Sequence, residues 1–197
     1  DGKVGTVVIG DAGQVPVGNH DSRLIEQQER QDMSSHSRET NGKPPYVADL
    51  EAAYGAPSQA GFGSAVFYVS TDPEKDLEQV ALAYYQYFVC DLWARYGEDA
   101  WMGPWKEIYA RKAGAKHDVA AELRGISDPE ARLSVPMILE VVEHAEAARQ
   151  ALSATYDDAA VAELAVYTLG DGEAMSGLLV AGRRDTGEAT FLIFLMD

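Results

Sequence analysis

The sequence predicts a single α+β domain over residues 1–197, in which an antiparallel sheet of about five strands packs against two long helices. Three observations predict this class. The C-terminal part contains three strand-like runs separated by glycine turns. Two central segments combine helical periodicity with an Asp-Pro-Glu start. Hydrophobic residues make up 46% of the chain and charged residues 24%, which is typical of a folded globular domain.

The N-terminal region predicts one strand followed by a polar segment. Residues 4–9 are rich in β-branched side chains and precede a Gly-Asp-Ala-Gly turn, which indicates a strand. Residues 18–45 carry few large apolar side chains, so we expect an arm or linker there. The sequence PYVADLEAAYGAP predicts a short helix that Gly55 ends, and residues 62–70, rich in valine and aromatic side chains, predict a second strand.

The two long helices are predicted from their start signals. Asp72 and Asp128 each precede a proline and a glutamate. An aspartate accepts hydrogen bonds from free amides at a helix start, proline has no amide hydrogen to leave unbonded, and glutamate complements the helix dipole. We therefore predict helices over residues 73–96 and 129–156. Apolar and aromatic side chains recur at helical spacing along the first of them, so we expect its rings to lie in the core.

Proline and glycine residues predict an interruption within the second helix and a further helix between the two long ones. Pro136 removes a backbone amide and is expected to kink or restart the second helix near Ser134. A further helix is predicted over residues 104–114, because proline is favourable in a first turn and Gly114 can end the helix.

The C-terminal runs AELAVYTL, SGLLVAGRR and EATFLIFLMD predict an antiparallel meander with Asp-Gly and Thr-Gly turns. In the last run both alternating sets of side chains are large and apolar: Phe191, Ile193 and Leu195 on one side, and Leu192, Phe194 and Met196 on the other. We therefore expect this strand inside the sheet, with helices over one face and more helix or a second subunit over the other.

The charge of the chain restricts its partners. The formal net charge is −16 and the sequence pI is about 4.5. Nucleic-acid phosphates and anionic membranes are therefore poor partners, whereas a basic protein is a favourable one. No run is long and apolar enough to span a bilayer. We expect a soluble protein, with a cytoplasmic location favoured and a secreted or periplasmic one open, since a leader removed before Asp1 would leave no trace.

The candidate nucleophile set is incomplete. Cys90, Asp91, His117 and His144 supply the residue types of a thiol nucleophile, an orienting acid and a base. However, a thiol within an apolar helix is typically a protonated core side chain, and the flanking sequence does not form a nucleophile turn. We predict no catalytic residue.

Metal and nucleotide motifs are also incomplete. Glu140, Glu143 and His144 share part of a helix, but an HExxH or ExxH spacing is absent and a metal site needs three or four ligands. The glycine-rich stretches GKVGTVVIGDAG and QAGFGSAV match neither GxGxxG nor the Walker pattern. The sequence therefore predicts no metal and no cofactor.

The loop GEDAWMGPW is the best candidate for a contact surface. Trp101 beside Glu98 and Asp99 would form an apolar anchor with an acidic rim, which suits a basic partner. Together with Glu140 and Glu143 on the second helix, these residues are the predicted partner-binding set. The alternative is that the tryptophans of the loop fold back onto the first helix and serve only as core.

We expect a non-enzymatic protein-binding module, such as an inhibitor or immunity-type protein that neutralises a basic partner. An alternative is a small-molecule-binding protein or enzyme, with a pocket between the sheet and helix 73–96. Such a pocket would be lined by Tyr84, Tyr85, Tyr87 or Asp91. Homo-oligomerisation through the C-terminal sheet is compatible with either.

Overall fold

A five-stranded antiparallel sheet with the strand order β1-β5-β4-β3-β2 organises the structure. The computed structural model describes residues 42–141 and 143–197. The strands are β1 (Gly63–Ser70), β2 (Lys106–Ala110), β3 (Val161–Gly170), β4 (Ser176–Arg184) and β5 (Glu188–Met196). The predicted α+β class and C-terminal meander are confirmed. The predicted strand at residues 4–9 and most of the predicted arm lie outside the described residues.

Strand β2 replaces the helix predicted over residues 104–114, and that prediction is wrong. Pairing with β3 determines the conformation here: Lys106 lies opposite Thr168, and Ala110 lies opposite Ala165. The Thr168 hydroxyl also donates to the backbone carbonyls of Pro104 and Lys106. Tertiary pairing with an available strand edge therefore outweighs the local helix signals of proline and glycine.

Seven α-helices and one π-helical turn are found among residues 42–141 and 143–197. They are α1 (Pro45–Tyr54), α2 (Leu77–Val89), α3 (Asp91–Tyr96), α4 (Glu98–Met102), α5 (Val119–Arg124), α6 (Pro129–Pro136), the π turn (Met137–Val141) and α7 (Ala145–Tyr156). Both predicted long helices are thus helical over most of their length but interrupted. No helix in this part of the chain is both long and apolar enough to cross a membrane.

The first predicted helix starts later than expected and breaks at Cys90. Its N-cap is Asp76, which accepts from the Glu78 amide at 2.9 Å, whereas Asp72 caps only a preceding turn. At Cys90 the backbone adopts φ 53°, which ends α2. The carbonyl of Phe88, which a continuous helix would bond to residue 92, instead accepts from the Gly61 amide at 2.9 Å. A contact from the loop before β1 thus replaces a helical hydrogen bond.

The second predicted helix begins as expected, with Asp128 accepting from the Glu130 amide at 3.0 Å and Pro129 in the first turn. The kink or restart predicted near Ser134 is not found at that residue: α6 continues through Ser134 to Pro136, and the π turn follows directly. Carbonyl groups freed in the turn are satisfied from outside. The Tyr54 hydroxyl donates to the Ile138 carbonyl at 2.9 Å, and the Arg149 guanidinium donates to the Leu139 carbonyl at 3.1 Å.

Both faces of the sheet are covered by helices. On one face, Val66, Leu192, Val180 and Val166 lie side by side across four strands and share a core with residues of α1, α6 and α7. On the opposite face lies Phe191, whose ring stacks on Tyr84 of α2 with centroids 5.1 Å apart. The expectation that β5 lies inside the sheet is confirmed, and its second face is covered by helix.

A buried ion pair joins the edge of the sheet to the helices. The Arg111 guanidinium, whose side chain is 3% exposed, donates to both Glu122 carboxylate oxygens at 2.7 and 2.6 Å. It also donates to the Tyr156 carbonyl at 2.8 Å, at the C-terminal end of α7. The Tyr109 hydroxyl donates to Glu122 at 2.8 Å. One side chain following β2 thereby fixes α5 and α7 against the sheet.

We predict that Arg111→Ala lowers the free energy of unfolding by about 3 kcal/mol, because it leaves the Glu122 carboxylate buried without its cation. Urea denaturation measures this change. The control is Lys112→Ala, which removes an exposed neighbouring charge and is expected to change the free energy by at most about 0.5 kcal/mol. Equal effects of the two substitutions would show that the ion pair does not hold these elements together.

Candidate functional site

Stacked aromatic rings cover the sheet on the α2 side. The Trp105 ring lies between Tyr167 and Tyr85, with centroid distances of 4.7 and 5.7 Å. The Trp101 ring stacks on Trp93 of α3 at 6.2 Å. These rings come from five separate segments, so the stack joins α2, α3, α4, the loop before β2 and β3 into one layer.

Trp101 itself is part of the interior. Its side chain is fully buried, and its indole nitrogen donates to the Leu92 carbonyl at 3.1 Å. The alternative in which this tryptophan folds back onto the helix is therefore the arrangement found, and the ring offers no surface for direct contact with a partner. Glu98 and Asp99, in the first turn of α4, are exposed.

The structure does not bring the predicted partner-binding carboxylates together. Glu98 and Asp99 belong to α4, which packs beside α2 through Trp101. Glu140 lies in the π turn next to the core of the opposite sheet face, 3.8 Å from Arg124, and Glu143 follows it on the exposed surface. The role of these four residues in binding stays a prediction, but they form two surfaces separated by the sheet.

A different set of carboxylates is assembled around Tyr167, and we call it the Tyr167 acidic cluster: Asp76, Glu78, Glu107 and Glu163. Glu107 is the cross-strand neighbour of Tyr167 in the β2–β3 register. Glu163 lies on the same face of β3, four residues before it, because alternate residues of a strand share a face. Glu78 accepts from the indole nitrogen of Trp105, the ring that stacks on Tyr167, at 2.9 Å. Asp76 caps α2 beside Glu78.

The charges of the cluster act on the Tyr167 phenol. Burial raises the pKa of the Tyr167 phenol above its usual range, and the negative charges of Glu107, Glu78, Asp76 and Glu163 raise it further. Within the cluster, Glu163 is paired with the Arg183 guanidinium. Sequence reasoning missed this site because its carboxylates become neighbours only through the β2–β3 register, and residues 106–110 were predicted as helix.

The residues of the candidate nucleophile set are dispersed. Cys90 is half-buried, and its sulfur lies 3.8 Å from a carboxylate oxygen of Asp91. His117 is hydrogen-bonded to the Asp158 carbonyl at 3.1 Å, and His144 lies 3.6 Å from Glu143. In the part of the chain that the structure describes, neither histidine is hydrogen-bonded to the thiol. The described residues also contain no group of three or more histidine, cysteine or acidic side chains that could hold a metal ion.

The space between the sheet and α2 is filled by side chains. Tyr84 and Tyr85 are buried there, and the Tyr85 hydroxyl is hydrogen-bonded to both the carbonyl and the amide of Gly170 at 3.1 and 3.0 Å. Two surface depressions lie elsewhere, one between α5 and α6 and one beside the C-terminal end of α7. The interpretation of a pocket at this helix therefore gains no support from the described residues.

Comparisons with known proteins give no functional assignment. The chain matches no protein-family model, and it has no significant similarity to a curated protein or to a solved structure.

We predict that Trp101→Ala lowers the free energy of unfolding by about 3–5 kcal/mol, because it removes a fully buried ring and leaves a cavity. Chemical denaturation measures this change. Tyr96→Ala is the matched aromatic control, since that ring is 57% exposed, and it is expected to cost about 1 kcal/mol or less. Comparable small losses for both would mean that Trp101 is not a core residue.

Alkaline pH is predicted to destabilise the fold. Eight phenols have pKa values raised mainly by burial: Tyr46, Tyr54, Tyr68, Tyr84, Tyr85, Tyr109, Tyr156 and Tyr167. For Tyr84 burial raises the pKa to about 12 from an ordinary 10.0. The unfolded chain therefore loses these protons first, so their stabilising contribution is complete below about pH 10 and is lost as the pH rises above it.

Urea unfolding at a series of pH values tests this expectation, with phenolate absorbance recorded in parallel. Tyr84→Phe removes one such group and is expected to reduce the slope of stability against pH above about pH 10. A free energy of unfolding that stays constant through that range would contradict the assigned burial of the phenols.

Proposed function

We propose that this chain is a non-enzymatic acidic binding module that recognises a basic protein partner, in the manner of an inhibitor or immunity-type protein. The observation that supports the proposal is the Tyr167 acidic cluster, in which α2, β2 and β3 each contribute a carboxylate beside the same ring stack. The net charge of −16 also favours a basic partner, because it attracts cationic molecules over a longer range than the cluster alone.

Most of the negative charge in the cluster is not neutralised within the described part of the chain. Glu163 has the Arg183 guanidinium as its ion-pair partner. Asp76 accepts from a backbone amide and Glu78 from an indole, and these donors are neutral. Glu107 is exposed on β2. A cationic partner can therefore gain charge-assisted hydrogen bonds without first displacing several internal cations.

The position of the cluster favours one of the two predicted surfaces. Glu98 and Asp99 lie on the α2 side of the sheet, as the cluster does, whereas Glu140 and Glu143 lie on the opposite side. A partner that docks on the α2 side can contact the first pair together with the cluster. We therefore assign Glu98 and Asp99 to the proposed interface and leave Glu140 and Glu143 outside it.

This proposal is tested by capture from a lysate of the native host at low ionic strength. The bait is the full chain, in three forms: wild type, the double variant Glu78→Gln with Glu107→Gln, and the control Glu140→Gln with Glu143→Gln. The two variants change net charge equally. We expect wild type and control to retain the same basic protein, the cluster variant to lose most of it, and rising salt to release it.

Each alternative result has a defined meaning. Equal loss in both variants would indicate non-specific attraction by net charge and would contradict an interface at the cluster. Capture of no basic protein by wild type at any ionic strength would contradict the proposed function as a whole.

A further inference from the structure

We propose that the surface depression between α5 and α6, which we call the α5–α6 groove, binds an acidic segment of a partner protein. One large apolar side chain of that segment fills the groove, and its neighbouring carboxylates pair with Arg124 and Arg132. This surface is separate from the interface of the proposed function, since α5 and α6 pack on the sheet face opposite α2.

The floor of the groove is apolar and fixed in shape. It is formed by Leu123, Ile126, Ala131 and Val135. Each of these residues is at most 8% exposed, so they belong to the core and hold their positions without a partner. The groove measures about 180 Å³, which is less than the roughly 300–1,000 Å³ typical of small-molecule pockets. A site of this size suits a single apolar side chain, the usual anchor of a protein interface.

Exposed apolar residues extend the groove along α6. Pro136 lines the groove and is exposed. Leu133 is 63% exposed, and it is a neighbour of Pro136 on the helix surface because the two are three residues apart. Among the described residues, only Phe62 and Tyr96 are other large apolar side chains with comparable exposure. An exposed apolar patch with a polar rim is typical of a surface that another protein covers.

Two exposed arginines form the charged rim of the groove, Arg124 at the end of α5 and Arg132 within α6. The Arg132 guanidinium forms no ion pair with another residue of the ranges 42–141 and 143–197. Arg124 lies 3.8 Å from Glu140, and the two side chains are 50% and 58% exposed. Exposed pairs of this kind contribute little, so Arg124 can exchange Glu140 for a carboxylate of the partner.

The rim determines the charge of the occupant. A guanidinium presents a planar set of donors that matches a carboxylate and repels a lysine or arginine side chain. The net charge of −16 opposes an acidic partner at long range. At about 0.15 M salt, however, exposed charges separated by more than about 8 Å are largely screened from one another. Under these conditions the two arginines at the rim outweigh the distant carboxylates of the chain.

The test uses the full chain and defined peptides at about 0.15 M salt. The probes are blocked pentapeptides with two aspartates on each side of a central leucine or phenylalanine. One control peptide has a central glycine, and another has lysines in place of the aspartates. Binding is followed by methyl NMR at Ile126, whose signal is assigned with Ile126→Val, while the buried Ile193 of β5 reports that each variant is folded. We expect a saturable shift at Ile126 with the acidic probes and none with the controls.

Three variants separate the rim from net charge. Arg124→Gln with Arg132→Gln is expected to weaken binding of the acidic probes about tenfold or more, since charge-assisted hydrogen bonds are lost. Lys112→Gln with Lys116→Gln removes the same charge from exposed residues outside the groove, and is expected to leave the affinity unchanged. Glu140→Gln removes the internal competitor for Arg124 and is expected to strengthen binding about two- to fivefold.

Several results would overturn the acidic-segment site. They are an absent shift at Ile126 with both acidic probes, an equal shift with the central-glycine peptide, and equal affinities in the two double variants, whether weakened or not. An affinity that Glu140→Gln leaves unchanged would contradict the assigned role of Arg124. Capture of a basic protein through the α2 side is a separate measurement, so either proposal can fail without the other.

Discussion

The burial of β5 on both faces is the constraint on which the rest of the structure depends. Its alternating side chains are apolar on either side, so neither face can be left to water. The chain meets this requirement with two layers of helices. One shares a core with Val66 and Leu192, and the other packs aromatic rings of α2 against Phe191. Most of the large rings are therefore committed to holding the fold together.

The two helical layers follow from this constraint, and so do their interruptions. A helix that covers a twisted sheet must fit the surrounding loops and strands. Here, donors from outside the helix form hydrogen bonds to backbone carbonyls of the helix. Gly61 does so before Cys90, and Tyr54 and Arg149 do so at the π turn. The exposed carboxylates are the groups to which we assign partner binding in the proposed function. The Tyr167 acidic cluster is where three elements bring them together.

Local pattern was sufficient to predict the meander, the strand at residues 62–70 and the helix start at Asp128, because each depends on neighbouring residues. Local pattern was insufficient where a residue distant in sequence determines the backbone conformation. The break at Cys90 depends on a hydrogen bond from Gly61, and β2 forms because β3 offers an edge. Glu107 becomes a neighbour of Tyr167 only through that pairing, so residues 76–78 and 107 read by themselves do not indicate the cluster.

The most direct test is amide hydrogen exchange of the chain, free and in complex with a basic protein recovered in the proposed capture experiment. The central claim is that the partner docks on the α2 side, at the acidic cluster. We predict that protection on binding increases at the start of α2, along β2 and around Tyr167, with α6 and α7 unchanged. Increased protection confined to α6, the π turn and α7 would contradict the claim.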